Sequence, residues 1–222
     1  MNKDFFNRDA EIVARELLGK VLVRNIKGIE MKARIVETEA YFGPEDPASR
    51  ACQNGDLKKT MEMDSGTILV YGVHNSWLIN FVTGEENEAR AVLIRALEPL
   101  NFDDRCNGPG LLTKALEIGK EFHKQDIIDN EKIMVVEDEG VEGVVVEDGR
   151  VEDEEVGGGA VDDEGFEYGR VEDENVERGV VGDENADRKE FEIVESFRIG
   201  VKKDLEKPMR FYIKDNKHVS RK

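Results

Sequence analysis

The stretch Met31-Lys-Ala-Arg-Ile-Val-Glu-Thr-Glu-Ala-Tyr41 (MKARIVETEAY), followed by Gly43-Pro44-Glu45-Asp46-Pro47, is where the sequence says most about its fold. Its alternation and β-branched content predict a strand, and the Pro-bounded run forces a loop after it. On a strand, Glu37, Glu39 and Tyr41 point to one face, while Val36, Thr38 and Ala40 point to the other. Two acids and an aromatic above a rigid loop suit the floor and rim of a pocket. An edge strand with one wet face gives the same pattern, and periodicity does not choose between the two.

Shorter elements follow on either side. Asp9 to Leu18 reads as a helix, with Asp9 as cap, Val13, Ala14, Leu17 and Leu18 on one face, and Gly19 as terminator. Lys20–Arg24 reads as a strand, as do Thr67–Tyr71 and Trp77–Thr83, which are separated by Gly72 to Ser76. Ala91–Ala96 is a further strand, and Gly108-Pro109-Gly110 opens a helix over Leu111–Ile118. Phe191–Gly200 and Arg210–Lys214 close the pattern as strands. Helices and strands interleave without a βαβ repeat, which favours a mixed α+β domain over a doubly wound parallel sheet.

The chain has 222 residues, of which 39% are apolar and 37% charged, with a formal net charge of -18. That charge is concentrated. Residues 137–190 hold 22 acidic and five basic residues, leaving 28 acidic and 27 basic residues elsewhere. Nucleic-acid binding by the rest of the chain is therefore not excluded. Within the acidic run, Val151-Glu-Asp, Val161-Asp-Asp and Val171-Glu-Asp recur every ten residues with Gly between them. Each unit offers one or two valines against three or four like charges, too little apolar surface for a solenoid. The composition predicts a solvated, disordered insertion, with short β-ribbons as the alternative. The expected organisation is a domain of residues 1–136 with 191–222, interrupted by the segment 137–190.

Cys52 and Cys106 have no CxxC spacing and no evident His partners, so neither a metal, a disulfide framework nor thiol catalysis is expected. The segment Met1 to Arg8 lacks an apolar signal region, and no apolar run reaches the ~18 residues of a membrane span. A reducing compartment is the expectation: cytoplasm, or nucleus in a eukaryote.

Six stretches taken in order, ARELLGKVLVR (Ala14–Arg24), RIVETEAYFGPEDPAS (Arg34–Ser49), GTILVY (Gly66–Tyr71), VLIRALEPL (Val92–Leu100), GPGLLTKALEI (Gly108–Ile118) and RFYIKDNKHVSRK (Arg210–Lys222), resemble the methylpurine-DNA glycosylase family, of the alkyladenine or 3-methyladenine type. The resemblance runs from about Asp9 to the C-terminus, apart from the acidic insertion. It implies an α+β fold: a single mixed domain around a curved, largely antiparallel sheet with flanking helices. It also implies a monomeric, cofactor-free enzyme that flips a damaged purine from duplex DNA and hydrolyses its N-glycosidic bond.

By this resemblance Glu39 matches the general base that activates the attacking water, and Tyr41 and Tyr71 match the aromatic walls that stack the flipped base. Asn80 matches an amide that penalises guanine, and Arg95 a basic residue of the DNA-facing side. Arg50 stands where many members place a histidine; a guanidinium is longer, always charged and only a donor, which bears on substrate range. The hairpin Tyr71-Gly-Val-His-Asn-Ser-Trp77 looks one residue short of better-known members, leaving Val73 or His74 as the wedge that fills the vacated stack. Lys58, Lys59 and Lys114 are candidate phosphate contacts, as is the turn that opens the helix at Gly108. Glu37 is expected in a salt bridge or in solvent.

A rival reading is a nucleic-acid-binding protein that keeps the pocket without turnover and uses its acidic segment to recruit a basic protein partner. A DNA mimic dominated by the acidic run leaves the patterned remainder unexplained.

Overall fold

The computed structural model describes residues 1–138 and 191–220. At its centre is the long strand β2 (Ile29–Tyr41), whose residues 35–40 are all buried. One flank of β2 pairs from Ala33 to Tyr41 with β5 (Ala91–Pro99), itself buried from Ala91 to Leu97. The other flank is shared. β1 (Val21–Ile26) pairs with Ile29 to Arg34, and β8 (Arg210–Ile213) pairs with Glu37 to Glu39. The β2–β5 register is irregular between Ile35 and Thr38, where β1 gives way to β8 on the opposite flank. A bulge bends a strand and raises its local twist, and here it lies at Glu37.

The sheet continues outward from β5 through β4 (Ser76–Val82) to β3 (Ile68–Val73), and from β1 to β6 (Ile133–Val136). β7 (Ile193–Ser196) pairs with β8. Among the described residues every strand pairing is antiparallel, and the sheet is curled, as the mixed α+β reading expected. Among the described residues α-helices are few and short: α1 (Lys3–Phe6), α2 (Ala10–Glu16), α3 (Asp56–Met61) and α4 (Pro109–Ala115).

The helix α2 forms as its local signals dictate. The Asp9 side chain accepts a hydrogen bond from the Glu11 amide at 2.9 Å, and Gly19 turns the chain at φ 86°. Its apolar stripe lies on the Val36–Thr38–Ala40 face of β2, where Thr38 Oγ1 donates to the Ala14 carbonyl at 2.8 Å. The acid-bearing face of β2 therefore looks the other way. It too is covered, by residues from the C-terminal segment, so the wet edge-strand reading does not hold.

Other boundaries moved for local reasons. The interruption expected at Gly72 to Ser76 is a two-residue hairpin turn, with His74 and Asn75 both at positive φ (47° and 62°), and this lengthens β3 and β4. The helix expected over Leu111–Ile118 begins at Pro109 and ends at Ala115, with Glu117 at φ 47°. The strand expected over Phe191–Gly200 is confined to Ile193–Ser196, because Arg198 turns inward and Gly200 sits at φ 78°. α3 and β6 are elements the periodicity did not reveal.

Most of the acidic segment lies outside the described residues. Its first two residues do not: Glu137 pairs with Lys20 at 2.7 Å and Asp138 with Arg34 at 2.7 Å. Arg34 also lies 5.9 Å from the ring of Phe191. Asp138 and Phe191, the described residues on either side of that stretch, thus both lie beside one side chain.

Candidate active site

Glu37 and Glu39 of the central strand are both fully buried. Burial of carboxylates is costly unless each is paired and hydrogen-bonded, and here each is. Glu37 Oε1 accepts from Arg95 Nε at 3.1 Å, Arg210 Nε at 2.7 Å and Ser220 Oγ at 2.9 Å, and its Oε2 accepts from the Ser220 amide at 2.6 Å. Glu37 is thus in a salt bridge, one of the two outcomes expected for it. Glu39 Oε1 accepts from the Ile199 amide at 2.8 Å and lies 3.2 Å from Arg95 Nη1. Its Oε2 accepts from the Tyr41 hydroxyl at 2.8 Å. Arg95, expected on the DNA-facing side, is instead buried and joins the two acids. β5 brings it there through the pairing with β2, so its charge is spent on carboxylates rather than held out to phosphate.

Burial pushes the Glu39 carboxyl up, and it stays above the ordinary carboxylate value although Arg95, the Ile199 amide and the Tyr41 hydroxyl pull it back. The charge of Glu37 adds a further small push upward. Burial likewise holds the Tyr41 phenol well above its usual range, reinforced by the charge of Glu39 beside it. Tyr71 is raised by burial, partly offset by Arg50. Both phenols are therefore neutral, and the Tyr41 hydroxyl donates to Glu39.

Tyr41, Arg50, Met61, Leu69, Tyr71, Asn80 and Ala91 line one small cavity. Four expected binding residues, Tyr41, Arg50, Tyr71 and Asn80, are brought together there from β2, the loop after it, β3 and β4. Asn80 is fixed because its Nδ2 donates to the Leu69 carbonyl at 3.1 Å. Arg50 places its guanidinium 5.2 Å from the centre of the Tyr71 ring. Glu39 reaches this cavity through Tyr41.

The expected DNA-contact residues divide. His74 and Lys114 line one surface cleft, with Asn75, Ser76 and the turn from Gly108 to Leu111. Val73 precedes His74 at the hairpin tip. Lys58 does not line that cleft; it lies on α3, 3.7 Å from Glu62.

One residue that sequence reasoning missed is Arg198. Its side chain is wholly inaccessible and donates to both oxygens of Asp46 at 2.6 and 2.7 Å, to the Ala40 carbonyl at 2.9 Å, and to Asp204. The available signal was a lone arginine in Phe197-Arg198-Ile199-Gly200, an apolar run closed by glycine. Ser220 and Arg210 were missed as partners of Glu37 because nothing local marks them.

A model of the family described as methylpurine-DNA glycosylase (MPG) matches residues 4–154. The chain belongs to the methylpurine-DNA glycosylase family. It is similar to proteins named "Putative 3-methyladenine DNA glycosylase" along essentially its whole length. The one from Aeropyrum pernix is 36% identical over 225 residues, covering 99% of this chain and 92% of that protein. The one from Clostridium perfringens strain 13 is 34% identical over 249 residues, covering 100% and 99%. The one from Borrelia garinii is 33% identical over 236 residues, covering 100% of both. As a member of this glycosylase family the protein is a hydrolase of N-glycosyl bonds, and membership implies binding of damaged DNA and base-excision repair of alkylated purines. Among the described residues, no helix is long and apolar enough to cross a membrane. The family match ends at residue 154, yet Ile199, Arg210 and Ser220, which help hold the two acids, all lie beyond it.

Proposed function

We propose that Glu39 is the general base of a monofunctional purine-DNA glycosylase and that Tyr41 and Tyr71 stack the extrahelical base. The observation that carries this reading is the placement of a buried carboxylate against the aromatic wall of a cavity, linked to it by the Tyr41 hydroxyl at 2.8 Å. Water adds through its oxygen to the sugar C1′, and its proton passes to Glu39. The N-glycosidic bond breaks, and its electron pair leaves with the base. The transition state carries positive charge on the sugar, which an ionised carboxylate stabilises. Burial of Glu39 moves its pKa toward the range where a base both holds and releases a proton well. Its described partners are Arg95, the Ile199 amide and Tyr41, with no lysine among them, so hydrolysis leaves an abasic site and an uncut strand. Residues 139–190 are read as an insertion dispensable for this chemistry.

The test uses duplexes carrying 3-methyladenine, 7-methylguanine, hypoxanthine or ethenoadenine, with release of base and alkali-labile sites as readouts. Glu39→Gln should still bind lesion duplex while excision falls by roughly 10²-fold or more. A parent protein that binds these duplexes and releases no base, or a Glu39→Gln variant with parental excision, overturns the proposal.

A further inference from the structure

Arg198 packs on one lining residue of the proposed base pocket. It lies 4.6 Å from the centre of the Tyr41 ring and is not among the residues that line the cavity. The ring that lines the space assigned to the base is therefore the ring on which the guanidinium packs. The plane of Arg198 is fixed by its bidentate pair with Asp46, and Asp46 is itself held by the amides of Phe42 and Ala48 at 3.1 and 3.0 Å. Burial pushes the Asp46 carboxyl up, but Arg198 and those two amides outweigh it and hold the group below its ordinary value, so the pair is charged. A third bond, to the Ala40 carbonyl, fixes the backbone one residue before Tyr41. The next peptide group along, the Ile199 amide, donates to Glu39 Oε1 at 2.8 Å.

We propose that Arg198 is a positioning residue that presents both the Tyr41 ring and the Glu39 carboxylate to the flipped nucleotide. The proposal rests on the pocket reading above. A stacking wall contributes to binding only if it does not recede when a base presses on it, and Tyr41 is backed by a planar group whose every bond is fixed. A planar, forked donor is required: lysine keeps the charge but cannot hold Asp46 with two parallel bonds or lie flat on a ring. A buried arginine serving only the fold would stabilise the loop from Phe42 to Ser49 equally well whatever residue 41 is. Here the effect on lesions must depend on Tyr41.

That dependence is the test. Single-turnover excision of a hypoxanthine duplex is measured against enzyme concentration for the parent, Arg198→Lys, Tyr41→Ala and the double variant. Binding of undamaged duplex and thermal unfolding are followed in parallel. Arg198→Lys should raise the half-saturating concentration about tenfold and lower the maximal rate, with undamaged-duplex binding within about twofold of the parent. In the Tyr41→Ala background the same change should raise the half-saturating concentration by less than about twofold. Parental behaviour of Arg198→Lys, or an equal loss in both backgrounds, overturns the proposal. If Arg198→Lys does not fold, Asp46→Asn loosens the same guanidinium with an isosteric change and must show the same dependence on Tyr41; independence overturns the proposal. A parent that neither binds nor cuts lesion duplex is a separate result, and it refutes the pocket reading itself.

Discussion

Replacing Glu37 by glutamine separates what the two acids do. Glu37 has no solvent exposure and accepts four hydrogen bonds, three on Oε1 and one on Oε2. An amide has a single acceptor oxygen. It can serve Arg95, Arg210 and the Ser220 hydroxyl, or the Ser220 amide, but in either pose its NH2 group faces a donor. The guanidiniums of Arg95 and Arg210 also lose that carboxylate in a buried setting. Breaking a buried pair by removing one partner costs about 3–5 kcal/mol. For a domain of this size, where ~1 kcal/mol moves the midpoint by ~2–4 °C, Tm should fall by roughly 6–20 °C. Excision should behave differently. Glu37 does not line the cavity and touches neither tyrosine. Its charge pushes the Glu39 pKa up, so its loss should move the acid limb of the rate profile to lower pH. The assay pairs thermal unfolding with single-turnover excision at a temperature well below both midpoints. A Glu37→Gln protein that keeps the parental Tm yet loses as much excision as Glu39→Gln would show that the base is Glu37 and the reasoning is wrong.

Because burial raises the Glu39 pKa and the base acts ionised, excision should fall as pH drops through a value above the ordinary 4.5. Arg95→Gln, which removes a cation that lowers that pKa, should move this limb further up in a single-turnover pH profile. Tyr71→Ala should weaken binding of lesion duplex by about 1–3 kcal/mol, the usual worth of a base–aromatic stack, with little change for undamaged duplex. Joining Asp138 to Phe191 by a short Gly-Ser link removes 20 acidic and five basic residues. It should leave a folded enzyme, because Asp138 and Phe191 both lie beside Arg34. That variant should bind undamaged duplex more tightly than the parent at low salt. The difference should shrink as the Debye length falls to about 8 Å near physiological salt. Salt-independent loss of excision would show that the segment helps build the site. The link is best placed after Asp138 rather than at Val136, since Glu137 and Asp138 pair with the sheet.

Much of this protein is legible in its sequence because much of it is local. The period of two along Met31–Tyr41 places Glu37, Glu39 and Tyr41 on one face whatever surrounds them. Asp9 and Gly19 mark the ends of α2, and the concentration of charge in residues 137–190 leaves the remainder near neutral. The aromatic pocket was reached through family resemblance, and the structure brings its four expected residues to one cavity. Sequence alone could not decide whether the acid face was wet or buried. The partners that make burial tolerable come from far along the chain: Arg95 is 58 residues from Glu37, Arg210 is 173 and Ser220 is 183. No periodicity encodes such distances. Arg95 illustrates the point, since a basic residue on a strand is as suited to phosphate as to a carboxylate. Only the antiparallel pairing of β5 with β2 turns it inward, where two buried negative charges make any other position far more costly.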